Sequence, residues 1–197
     1  MNSELVEERL KELISAFKKD LDSKHEQLNC FCKHGVQLEG WLKGELIYFL
    51  EKQKKCGRIE GFEREVTPHG YGHGRRKVDI KVELRLESEI FIVWVVLKYW
   101  LIGEQKGTPY KPKFYFNERG SIGIKPDIEK LILIENDFKF LLILSVKNPK
   151  IEDWDEGVKV FNDKFPNYNL KSLTDPNVYE DSYYLGLLSV SNDSVLN

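Results

Sequence analysis

Three side chains in this sequence have the types and positions to act together on a phosphate ester: Glu45, Asp79 and Lys98. Two carboxylates and a lysine so placed can bind a divalent ion beside an activated water, which is what phosphodiester hydrolysis needs. Asp79 stands in a segment, residues 77–86, that alternates cleanly. Val78, Ile80, Val82, Leu84 and Leu86 point one way, and Asp79, Lys81, Glu83 and Arg85 the other, as in a half-buried strand. Lys98 is the only charge in Ile90 to Trp100, a run apolar enough for a central strand covered on both faces.

Glu87 and Ser88 supply a turn between these strands. A two-residue turn pairs Leu86 with Glu89, and a constant register then sets Asp79 opposite Val96, with Lys98 its diagonal neighbour on the same face. Asp79 and Lys98 are therefore expected to meet. Glu45 belongs to residues 38–55, where Leu38, Trp41, Leu42, Leu46 and Phe49 recur at helical spacing. At 100° per residue Glu45 falls inside that apolar stripe, between Trp41 and Phe49. A carboxylate there must be paired, protonated or bound to a cation, because leaving it bare costs several kcal/mol. The same residues admit a second reading, an ion pair of Asp79 and Lys98 at a strand end with Glu45 as third member.

Other elements must hold these positions. Residues 3–24 place Val6, Leu10, Leu13, Ile14, Phe17 and Leu21 on one helical face. Residues 59–67 read as a strand, and a loop with Pro68, Gly70, Gly72 and Gly74 leads to the Asp79 strand. Its end, HGYGHGRRK (69–77), could grip a phosphate backbone through Arg75, Arg76 and Lys77, or simply form a solvated turn. Residues 103–125 look irregular, with a short strand around Lys113 to Phe116. A helix over Asp127 to Ile134, a buried strand over Phe138 to Val146, a helix over 152–164 and a last strand over 183–190 complete the expected order. Cys30, Cys32 and His34 lack the two-residue gap and the second half of a structural zinc site.

With 197 residues, 41% hydrophobic, 31% charged and 12% aromatic, the composition excludes a disordered chain and a helical membrane protein, and one domain over 1–197 is the default. The longest apolar stretch, Ile90 to Leu97, falls far short of the roughly 20 residues of a spanning helix, and the first residues are acidic, unlike a secretory signal. No membrane partner is expected. Three cysteines suit a reducing compartment, so a cytoplasmic location is expected. Net charge is −2, unevenly spread: Lys52 to Lys77 carries eight basic residues against three acids, and Lys150 to the end carries four against nine.

Helix, three strands, helix, strand over residues 38–146, about 110 of the 197, resembles the αβββαβ core of the PD-(D/E)xK, or restriction-endonuclease-like, nuclease superfamily. GWLKGELIYFL carries Glu45, RRKVDIKVEL carries Asp79, WVVLKYW carries Lys98, and KPDIEKL matches the start of the second core helix. The resemblance implies a mixed central sheet flanked by helices, Mg²⁺ held by Asp79 and Glu45, and Lys98 orienting the water. It also implies a nucleic-acid substrate, with DNA favoured over RNA, and pairing into a homodimer. The chain departs from the pattern at Val96, where the family has an acid. Mg²⁺ would then rest on Asp79, Glu45, the Leu97 carbonyl and waters, with Glu45 or Glu83 as a relocated acid. The alternative function is a catalytically inactive module of the same fold that binds nucleic acid or protein.

Overall fold

Alternation and helical spacing resolve into eleven regular elements and one turn of 3-10 helix in a computed structural model, which describes residues 2–34, 36–68, 77–103, 111–119, 123–135, 137–176 and 183–192. The helices are α1 (Asn2–Asp22), α2 (His25–Lys33), α3 (Glu39–Lys55), α4 (Lys125–Ile132) and α5 (Ile151–Lys164). The strands are β1 (Gly61–Val66), β2 (Val78–Leu86), β3 (Glu89–Leu101), β4 (Phe138–Val146), β5 (Tyr168–Ser172) and β6 (Tyr183–Asn192). They form one mixed sheet in the order β1-β2-β3-β4-β6-β5, with only the β3–β4 pair parallel. This is the α/β class expected of the sequence.

Strand β3 shows why both sheet faces are covered. Val93, Val95 and Leu97 join a core with Leu10, Phe17, Leu42, Leu46 and Phe49 of α1 and α3. Trp94, Val96 and Trp100 face the other way, against Ile128 and Leu131 of α4 and Trp154 and Phe161 of α5. Alternate side chains of one strand thus feed two cores, as a continuous apolar run requires. Each large side chain so buried contributes roughly 1.5–3 kcal/mol.

Three details differ from expectation. The N-terminal helix stops at Asp22, and a turn closed by the Lys24 N–H on the Leu21 carbonyl starts α2, an extra helix whose one fully buried side chain is Leu28. A single buried residue leaves too weak a stripe to announce a helix. Pro112–Phe114 is a 3-10 turn where a short strand was expected, because Pro112 fixes a turning backbone. Strand β5 was not foreseen. Among the described residues no helix is long and apolar enough to cross a membrane.

Candidate functional site

The β2–β3 hairpin turns at Glu87, which adopts a φ of 55°, and Ser88, and pairs from Leu86 with Glu89 to Ile80 with Val95. One residue further the strands part. There the Leu97 N–H donates to the Asp79 Oδ2 at 3.0 Å, so a side chain takes the hydrogen bond a neighbouring strand would supply. Strand β3 meanwhile continues along β4 as far as Leu101 with Val146. The fork is open on the β2 side and closed on the β4 side, and polar groups from four elements collect in it.

Asp79 and Lys98 both reach the fork, as the register requires, but they take different partners. The Asp79 Oδ1 receives the Lys43 ammonium at 2.6 Å. Lys98 donates to the Asp127 Oδ2 at 2.7 Å, and Lys130 donates to the other oxygen of the same carboxylate at 2.7 Å. Asp127 is 6% exposed and sits in the first turn of α4 behind Pro126, where the helix dipole favours an acid. Glu39, in the first turn of α3, completes the group. Burial raises its pKa above the ordinary carboxylate range, and although Lys98 and Lys43 pull it down, Asp79 and Asp127 push it up. The Lys43 ammonium loses hydration by burial, yet its hydrogen bond and attraction to Asp79, helped by Glu65, leave its pKa raised. The fork therefore gathers three carboxylates and three ammonium groups.

Glu45 is not among them. It is half-buried as its position in the stripe implies, and its carboxylate meets the Lys24 ammonium between α1 and α2. Lys24 also approaches Asp20 and the Tyr48 ring, and Lys52 binds Asp20 at 2.8 Å, so Glu45 belongs to a structural network across the helices. Lys43 and Glu45 are two residues apart on α3 and hence about 200° apart around it, and only Lys43 faces the fork. Glu83 is also placed elsewhere, beside Lys81 at 3.3 Å. Val96 is 2% exposed in the core with Trp94 and Trp100. Arg75 and Arg76 lie outside the described residues, while Lys77 is exposed at the start of β2.

Glu39, Lys43, Asp127 and Lys130 were missed from sequence. The available signals were the spacing of four between Glu39 and Lys43, and an acid directly after a helix-starting proline in KPDIEKL.

Carboxylate oxygens are the hard donors that Mg²⁺ prefers. As arranged, however, the Asp79 carboxylate is held by Lys43 and a backbone N–H, and Asp127 by two lysines. Among the described residues no three His, Cys, Asp or Glu side chains are grouped to hold an ion. The residues present do not fit a ready divalent-ion site. Compared with family models and with curated proteins, the chain matches none of them.

Proposed function

We propose that this chain is a nuclease-like module of the restriction-endonuclease-like type that binds the phosphate backbone of nucleic acid at the β2–β3 fork. The observation that carries this reading is the placement of Asp79 and Lys98 on neighbouring strands where the ladder opens, Asp79 paired with Lys43 of α3 and Lys98 with Asp127 of α4, which Lys130 also binds. The element order α3-β1-β2-β3-α4-β4, with β1, β2 and β3 antiparallel and β4 parallel to β3, supports it. So does the basic segment 52–77, which runs into β2 through Lys77.

Lys98 is the residue to receive a phosphate oxygen. Its ammonium can turn from Asp127 to the phosphate while Lys130 continues to neutralise Asp127, so the exchange leaves no buried carboxylate bare. Lys43 holds the Asp79 carboxylate away from the incoming anion's charge.

Hydrolysis of the phosphodiester is the second reading, and one observation favours it: the half-buried Glu39 carboxyl feels the charges of Lys98, Asp79, Asp127 and Lys43, and its pKa is raised. A paired assay separates the two. Binding to duplex DNA that weakens about tenfold in Lys98→Ala, with no cleavage by either protein in Mg²⁺ or Mn²⁺, supports the binding module. Metal-dependent cleavage lost in Lys98→Ala supports the hydrolase. DNA affinity equal in both proteins, without cleavage, removes the fork from nucleic-acid chemistry.

A further inference from the structure

Away from the fork, near the start of β4, the ends of β4, β5 and β6 and the N-terminal part of α1 border a cleft of about 570 Å³. That is within the size range of small-molecule sites. Lys139 lines it. In register Lys139 stands beside Trp94 of β3, and Val190 of β6 borders the same cleft.

Lys139 differs from the other lysines of this protein. Every other half-buried lysine among the described residues lies within ion-pair distance of a carboxylate. Among the described residues Lys139 has no such pair. The acid whose attraction acts on it, Asp137, also accepts the Trp94 indole N–H at 2.8 Å. Desolvation consequently lowers the Lys139 pKa, and the attraction of Asp137 only partly restores it. A desolvated ammonium without a counter-ion is costly, and an anion seated beside it would offset that cost.

We propose that this cleft binds a small monocarboxylate, with Lys139 as its cation. The assignment is independent of the nucleic-acid reading, since no residue is shared with the fork. A single negative charge suits the surroundings: Lys171 is neutralised by Glu7 at 2.7 Å, and Glu135 and Asp137 also border the cleft, so a dianion would be repelled. Asn169, Ser189 and Ser191 offer neutral polar groups for the rest of the ligand.

The Trp94 indole N–H, bonded to Asp137 beside Lys139, is a built-in reporter. Acetate titrated at constant ionic strength, against chloride and phosphate, should move that NMR resonance saturably in the wild type and in Lys159→Met, a change on the exposed face of α5 outside the cleft. In Lys139→Met the apparent affinity should fall about tenfold or more, the worth of one charge-assisted hydrogen bond. The other indole resonances check that the variant is folded, and Lys139→Gln reads the same loss if methionine disturbs the strand. A Trp94 resonance indifferent to acetate, an equal response in Lys139→Met, or a stronger response to phosphate than to acetate overturns the assignment.

Discussion

Asp127 anchors the fork at the scale of single residues, because one buried carboxylate serves two lysines. Its side chain is 9% exposed and that of Lys98 12%, so Asp127→Asn leaves an ammonium with little water and without its hydrogen-bonded carboxylate. The variant should lose about 3 kcal/mol in urea unfolding, the low end for breaking a buried pair. A loss no greater than that of an exposed control such as Glu12→Gln would show that water reaches the pair freely. Glu39 gives a prediction of opposite sign. Its carboxyl binds a proton more tightly in the folded chain than its ordinary value of 4.5, chiefly through burial. Above that value the unfolded chain has released the proton while the folded chain still holds it, so this group's contribution to stability falls as pH rises through the folded value. Glu39→Gln should therefore gain on the wild type, in the difference of their urea midpoints, as pH rises from the ordinary value of 4.5 until the folded carboxyl has ionised. A difference constant with pH would refute the burial of that charge.

At the scale of elements, α3 carries two charged stripes, and reading only one of them from sequence placed the wrong glutamate at the fork. The apolar spacing shows that Glu45 is inward and needs a partner, and both points hold. It cannot show that α2 brings Lys24 to that face, because α2 is itself faint in the pattern. The hairpin was more legible. Its register depends on a short turn and on period-two alternation, both local, so the Leu86–Glu89 pairing and the bounds of β4 could be read directly. Strand β5 was hidden for the contrary reason: its inward residue Leu170 is fixed by Asn162 of α5, whose amide binds both the Leu170 N–H and carbonyl at 2.9 and 3.0 Å. Helix α5 also gives a clean packing test. A Cβ at Gly157 would stand 2.4 Å from the ring of the buried Phe116. Alanine is the better helix former by about 1 kcal/mol, yet Gly157→Ala should destabilise by roughly 1–3 kcal/mol because the aromatic cluster of Phe116, Trp100 and Trp154 must shift. A raised melting temperature would mean that the ring moves aside at little cost.

The whole molecule is nearly neutral, so any affinity for nucleic acid must come from how its charge is spread. The fork cannot supply a strong field alone, since its three lysines face three carboxylates. The excess lies in the sequence leading to it, where residues 52–77 carry eight basic side chains against three acids and end in Arg75, Arg76 and Lys77. Each phosphate contact releases condensed counterions, and the logarithm of the DNA association constant falls with the logarithm of salt by about 0.9 per contact. Replacing Arg75, Arg76 and Lys77 together by glutamine should thus flatten that slope by about 2.7 if all three touch phosphates. Lys98→Ala removes one contact and should flatten it by about 0.9. Measured on one duplex across a salt series, these two changes separate a surface that attracts the backbone from a fork that receives one phosphate of it. An unchanged slope in the triple variant, with affinity still lost in Lys98→Ala, would leave the fork as the point of contact and move the attracting surface elsewhere on the chain.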